Sequence, residues 1–375
     1  MYSSAAVKDH FTLPAGHYLL SHSVGCAPRG LQSALEKDWL GPWQRGGGEA
    51  WPEWLAVLAR FREVIATLLG GEAACVCPQV NVSSGLVKLL HGLAPDTRRR
   101  RIVLCEEDFP SLGFVAAAAQ RAGLEPDFIP RGPEPQRIDG WARRLDASCR
   151  VAIITHAFSN RSARLPVREI TALCRERGVV SVVDVAQTAG AIPIDVAQWS
   201  ADFVLGSCIK FLCGGPGAGF LWASREAIAA SQPLDVGWFS HADPAEFDIR
   251  RFRHADDALR FLGGTPSIVP FAAAAFSVAA LLRIGIGRIH EHNQALIGYL
   301  LDSLPAADIA SEPDAGRRGN TVLLRVADAD RALARLREAG VFADQREGCL
   351  RVSPHIYNDR ADIDALLAAV RLAHA

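Results

Sequence analysis

One lysine sits between an apolar run and a glycine-rich turn. The order is Phe203-Val-Leu-Gly206, Ser207-Cys-Ile-Lys210, Phe211-Leu-Cys, then Gly214-Gly-Pro-Gly217. A second run, Val179-Val-Ser-Val-Val183, ends on Asp184. An amine can hold an aldehyde as an exchangeable imine. A carboxylate can keep a pyridine nitrogen protonated, so that the ring draws electrons from a bound amine. Together they suit pyridoxal 5'-phosphate (PLP), with Lys210 and Asp184 as catalytic and cofactor-binding residues. Alone, the lysine reads as a solvated surface group and the aspartate as a turn or helix cap. The context Asp184-Val-Ala-Gln187-Thr-Ala-Gly190 favours the cofactor, with Gln187 on its phenolic oxygen.

Other residues fit the remaining parts of such a ligand. Asn81-Val-Ser83-Ser84-Gly85 follows a strand and opens a helix, where free N–H groups and hydroxyls can hold a phosphate. Ser83 and Ser84 are candidates there, and Ser207 is a further one. Phe109, in Asp108-Phe-Pro-Ser111, can stack on a pyridine ring or simply fill the core. Arg351, in Cys349-Leu-Arg-Val-Ser353, can clamp an α-carboxylate in two-pronged fashion.

These residues need a scaffold that brings strand ends together. Val/Ile-rich runs at residues 74–77, 101–105, 127–130, 150–155, 179–184, 202–206 and 219–222 read as strands. Helical patterns at 85–92, 112–122 and 167–177 lie between several of them. This predicts an α/β fold: a mostly parallel seven-stranded sheet covered by helices. Ligands on such sheets sit beyond the C-terminal strand ends, where Asp184 and Lys210 fall. After about residue 285 the pattern becomes helix 287–304, strand 321–326, helix 329–339, strand 349–353 and helix 362–373. The expected division is 1–45 packing with the small domain, 46–284 as the large PLP-binding domain, and 285–375 as a small α+β domain.

The 375 residues are 49% apolar and 22% charged, ordinary for a globular chain. A net charge of −1 gives no footprint for nucleic acid or an acidic membrane. The alanine-rich stretch 268–282 is too short for a bilayer and reads as a buried helix. The first ten residues lack the apolar core of a signal peptide. Nine irregularly spaced cysteines suggest reduced thiols in a cytoplasmic protein. No Cys/His set has zinc spacing, so no metal is expected. Trp43, Trp51 and Trp54 either shape a side-chain pocket or pack the N-terminal segment; packing is the reading favoured here.

As a set, these motifs resemble the class V aminotransferase superfamily of fold-type I PLP enzymes, and most closely its kynureninase branch. The resemblance spans roughly residues 17–360. It rests on Asp184–Gly190 with Ile192-Pro-Ile-Asp195, on Lys210-Phe-Leu with Gly214–Gly217, and on Phe220-Leu-Trp222. Gly237-Trp238 with His241, Phe261-Leu-Gly-Gly-Thr265-Pro and Ser23-Val-Gly25 extend it.

The resemblance implies a homodimer with shared active sites and an amino-acid substrate. It implies Lys210 as Schiff base and general base, Asp184 on the ring nitrogen, Phe109 stacking and Arg351 on the carboxylate. Ser83 and Ser207 are implied as phosphate contacts, joined by Thr265 across the subunit interface. Trp238 is implied as a cofactor-side residue, and His22, Ser23 and Asn160 as substrate-side residues. Three positions depart from the kynureninase pattern: Ile209 replaces a tyrosine, Gln187 a histidine and His22 an asparagine. Isoleucine has no proton to give, which points to an altered substrate or reaction.

The expected function is kynureninase-like cleavage of a side chain at Cβ. A desulfurase or C–S lyase is the alternative, favoured by Gln187. No cysteine lies between Cys213 and Cys349, which speaks against a persulfide relay. Aminotransfer or epimerisation, and a PLP-binding protein without turnover, complete the range.

Overall fold

The computed structural model describes residues 7–374. The expectation about the first ten residues therefore falls partly outside the described residues. Seven strands form one sheet: β1 (Val76–Gln79), β2 (Arg101–Cys105), β3 (Glu125–Ile129), β4 (Cys149–Thr155), β5 (Val180–Asp184), β6 (Phe203–Ser207) and β7 (Gly219–Ala223). Their spatial order is β1-β7-β6-β5-β4-β2-β3. The pairs β2–β3, β2–β4, β4–β5 and β5–β6 are parallel, whereas β7 runs antiparallel to β6 and β1. Val151, Ala152, Ile153 and Ile154 of β4 and Val182 and Val183 of β5 are fully buried. Burial on both faces explains why these strands read as continuous apolar runs rather than alternating ones.

Helices α1 (Trp51–Leu69), α2 (Val82–Gly92), α3 (Pro110–Ala118), α4 (Val167–Glu176) and α5 (Val269–Ile284) cover the sheet or pack beside it. Helix α1 lies outside the segments expected to be helical from the sequence, and its apolar face holds Val57, Phe61, Ile65 and Leu69. Helix α5 is the alanine-rich stretch, with Phe271, Ala274, Val278 and Leu281 buried. Among the described residues, no single helix is long and apolar enough to cross a membrane. The first strand lies two residues later than expected, because Ala73–Cys75 forms a tight 3₁₀ turn before it.

A second core is built on α6 (Ile286–Asp302), β8 (Val322–Arg325), α7 (Ala329–Glu338), β9 (Val341–Phe342), β10 (Asp344–Arg346), β11 (Cys349–Val352) and α8 (Arg360–His374). Leu300, Val322, Leu336, Leu350 and Ile363 form its centre. The antiparallel order is β8-β11-β10. Strand β10 is an addition to the expected pattern. The N-terminal segment straddles both cores. His17–Tyr18 pairs in parallel with β9, while Phe11 and Cys26 belong to the larger core.

Candidate active site

The C-terminal ends of β4, β5 and β6 open onto a cavity of about 200 Å³. Ser83, Phe109, Asp184, Gln187, Ser207 and Lys210 line it, with Thr155 and Ser159 among them. The sheet order makes this possible, since β4, β5 and β6 are consecutive neighbours.

Asp184 closes β5 and is 6% exposed. Burial raises its pKa, opposed by the Ala186 N–H that donates to its Oδ1 at 2.8 Å and by the Lys210 amine. The Lys210 amine is pushed down to about 8, chiefly by burial. Arg351 and Arg346 push in the same direction, and Asp184 opposes them.

The backbone around Lys210 is held at four successive carbonyls. Ile209 O accepts from Gly25 N at 2.8 Å and Lys210 O from Cys213 N at 2.9 Å. Phe211 O accepts from His355 Nε2 at 2.8 Å and Leu212 O from Ser277 Oγ at 2.7 Å. The tether therefore comes from the N-terminal segment, the loop between β11 and α8, and α5 together. A Cβ on Gly25 would fall 2.2 Å from Lys210 O, so this close approach needs glycine.

Phe109 precedes Pro110, which opens α3. Proline at the first helical turn keeps the preceding residue extended, and Phe109 has φ −61° and ψ 134°. Its ring, 40% exposed, lies 5.4 Å from Lys210 Nζ. At the other end, Asn81 caps α2 by accepting from Ser84 N at 2.8 Å. Asn81, Val82 and Ser83 line the cavity at this helix N-terminus, opposite Ser207. Ser84 does not line it; its backbone N–H is already used by the cap.

Among the described residues, the buried Gln187 Oε1 in this wall has no hydrogen-bond partner, and Thr155 Oγ1 faces the buried Asp108 carboxyl. Buried polar groups are normally paired, so this wall suits a polar ligand. An amine, a carboxylate, an aromatic face and a helix N-terminus with serine hydroxyls fit the ring, substituents and phosphate of PLP. Thr155 was not singled out in the sequence. Its place as the last residue of β4, level with Asp184 in the ladder, was the available signal.

A larger cavity of about 540 Å³ lies alongside, and Ser159 lines both. Asn160 and Arg346 border it. Arg351 lines neither cavity. It is 5% exposed and grips Asp344 with two bonds, Nε to Oδ1 at 2.8 Å and Nη2 to Oδ2 at 2.5 Å. Its Nη1 donates to Ser159 O at 2.8 Å. His22 is also buried, with Nε2 on Asp344 Oδ1 at 3.0 Å and Nδ1 on Ser353 Oγ at 2.7 Å. Burial drives the His22 pKa down to about 4, so the ring is neutral near pH 7. For Asp344, burial alone would raise the pKa. Hydrogen bonds from Arg351 and His22 hold it well below the usual carboxylate range instead.

Ser23 is exposed and lines neither cavity. Trp238 and Thr265 also stand outside, joined by an Nε1-to-Oγ1 bond of 3.3 Å. Trp43 and Trp51 each meet Trp54 edge-to-face, and Trp51 meets Trp238 in the same way, with centroid distances of 5.5–6.1 Å; none of the three lines the smaller cavity.

A kynureninase from Deinococcus radiodurans is 29% identical over 355 residues, covering 90% of this chain and 85% of that protein. A cysteine desulfurase from Thermococcus onnurineus NA1, solved in its apo form, superposes with a TM-score of 0.89 at 19% identity, covering 100% and 99% of the two chains. The cystine C-S lyase C-DES, solved with its product cysteine persulfide, superposes at 0.86 with 22% identity over 96% and 98%. At such identities the structural likenesses establish the fold: α/β, with a large mostly parallel sheet, as in fold-type I PLP enzymes. The family profile for Aminotransferase class-V matches residues 37–366. With that match spanning most of its length, this chain belongs to the aminotransferase class-V family.

Proposed function

We propose that this protein is a PLP enzyme that acts on an α-amino acid and cleaves its side chain at Cβ, in the manner of kynureninase. The convergence of Lys210, Asp184 and Phe109 on one cavity carries this reading. The extensive similarity to a kynureninase supports the choice of reaction. Bound there, the cofactor would supply an electron sink for the carbanion left when a proton leaves Cα.

The chain's own residues would do the rest. Lys210 would anchor the cofactor aldehyde and, once released from it, take the α-proton; an amine with a pKa near 8 is suited to that exchange. Asp184 would face the ring nitrogen and keep it protonated. Phe109 would cover one ring face, and Gln187 and Thr155 would meet polar ring substituents. The α2 N-terminus with Ser83 and Ser207 would hold the phosphate. Asn160 would lie beside the substrate, with the Arg351–Asp344–His22 group behind it. Residues 46–284 would form the cofactor domain and 285–375 the small domain against it. Trp238 and Thr265 would serve the cavity of a second subunit.

A C–S lyase is the second reading, favoured by Gln187 and by the likeness to C-DES. No described cysteine lines the smaller cavity, and eight of the nine thiols are buried. A persulfide relay on a mobile thiol therefore has no support.

The test is product analysis with the PLP-loaded protein. L-kynurenine, 3-hydroxykynurenine and L-cystine are offered separately. Alanine released from a kynurenine is the expected result. Pyruvate and a persulfide from cystine alone would move the assignment to the lyase. Transamination or racemisation without side-chain loss would contradict Cβ cleavage.

A further inference from the structure

We propose that a cavity of about 340 Å³ at the N-terminus of α4 is a binding site for a phosphate group, with Arg164, Arg168 and Arg317 as its cationic ligands. The site is independent of the amino-acid reading above, and no residue lines both this cavity and the cofactor cavity.

The loop after β4 folds back on itself before α4 begins. Leu165 N donates to His156 O at 3.1 Å, and Arg164 N to Arg317 O at 2.8 Å. Short bridges pair Ala157 with Arg164 and Ala163 with Arg318. Ser162 ties down the same approach: its carbonyl accepts from Gly319 N at 2.6 Å and its Oγ from Thr321 N at 3.1 Å. Arg164 and Arg317 are therefore set side by side by backbone bonds, not by an acid between them. Arg168 joins them from the first turn of α4.

Arg164 is the unbalanced member. Its side chain is half-buried, and its Nε is buried without a hydrogen-bond partner. Burial alone lowers its pKa, and no carboxylate acts against that. A buried guanidinium left unpaired is costly, so this one calls for an anion. Glu169 is the single acid in the lining, against three guanidinium groups. Behind the lining, Glu312 reaches Arg317 Nε only at 3.8 Å. Asp314, Asp302 and Glu312 act on Arg318 there, and none of them is among the influences on Arg164. A planar guanidinium fork matches the oxygens of a phosphate.

Two neutral features point the same way. Helix α4 opens at Pro166 with no side-chain cap. Among the described residues nothing accepts from the N–H groups of Arg168 and Glu169, which line the cavity. Free N–H groups at a helix start attract phosphate. The second feature is separate from the helix. His156 is 3% exposed and lines the cavity. Its Nδ1 meets Thr188 Oγ1 at 2.9 Å, and its Nε2 has no partner among the described residues. Burial, and then Arg164, drives its pKa down to about 3, so the ring is neutral and one nitrogen is left for a ligand. Trp199 meets this ring edge-on at 4.9 Å and gives the cavity an apolar wall.

The test is calorimetric titration with inorganic phosphate and, separately, phenyl phosphate. The PLP-loaded protein is first reduced with borohydride, which keeps the cofactor's own phosphate in its cavity. One phosphate should bind per chain. Arg164→Gln should weaken it about 10- to 100-fold, the range for losing a bond to a charged group. Arg168→Gln changes an exposed residue and should weaken binding severalfold at an unchanged Tm, which separates lost contact from lost folding. Arg131→Gln, in the larger cavity, should leave binding as it is. Tighter binding of phenyl phosphate would assign a phosphomonoester that uses the Trp199 wall; equal or weaker binding would assign free phosphate. No binding of either at about 10 mM, or binding that survives both Arg164→Gln and Arg317→Gln, would overturn the assignment.

Discussion

Lys210 is acted on by three influences of one sign and one of the other. Burial, Arg351 and Arg346 disfavour its ammonium form, and Asp184 favours it; the balance is a pKa of about 8 against 10.5 for an ordinary lysine. Only the neutral amine attacks an aldehyde. Its fraction rises about tenfold per pH unit below the pKa and levels off above it. The rate at which cofactor-stripped protein captures PLP should therefore climb steeply from pH 6 to 7 and flatten above about 8. Stopped-flow absorbance measures this, and a rate still climbing at pH 10 would show an unperturbed lysine. Lys210, Asp184, Phe109 and Gln187 were legible in the sequence because each lies in a short motif at a strand end. The commitment of Arg351 was not legible. Its partners Asp344 and Ser159 come from a separate strand and from the loop after β4, and no local pattern joins them.

At the scale of elements, the lysine loop is held by groups from three parts of the chain. Gly25, His355 and Ser277 each meet a carbonyl between Ile209 and Leu212. Gly25→Ala would drive a methyl group into Lys210 O and Cys213 Sγ. Overpacking of this kind costs about 1–3 kcal/mol. Calorimetry should show a lowered Tm, and PLP occupancy should fall with it. An unchanged Tm with full occupancy would mean that the loop shifts freely. The central strands β2, β4, β5 and β6 were legible because buried parallel strands are written as apolar runs. Strand β10 was not, since Asp344-Gln-Arg346 is polar and only half-buried. The Glu347-Gly348 turn was the available signal for it.

At the scale of the molecule, the site lies where two separate cores meet. Arg351 lies on β11 between Leu350 and Val352 of the second core, and the lysine loop carries Leu212 and Cys213 of the first. No local pattern foretold that residues 11–26 would contribute to both cores, Phe11 and Cys26 to one and Leu19 to the other. The surface carries a further message. Leu234 is 74% exposed, Phe247 80% and Ile249 96%, and Phe247 lies against Trp238, which meets the tryptophan cluster through Trp51. Exposed apolar groups gathered in this way mark an interaction surface. We read them as the interface of the homodimer that the family resemblance implies. Sedimentation equilibrium should give twice the chain mass, and Phe247→Glu with Ile249→Glu should shift it toward one. A monomer at micromolar concentration in the unmodified protein would contradict this.

The central claim is that Lys210 carries the cofactor, and the chain has only three other lysines, Lys8, Lys37 and Lys88, to compete with it. The most direct measurement is borohydride reduction of the PLP-loaded protein, followed by peptide mapping of the fixed label. The account predicts label on Lys210 alone, and none in Lys210→Ala. Label on Lys88 or another lysine, or undiminished labelling of Lys210→Ala, would contradict it.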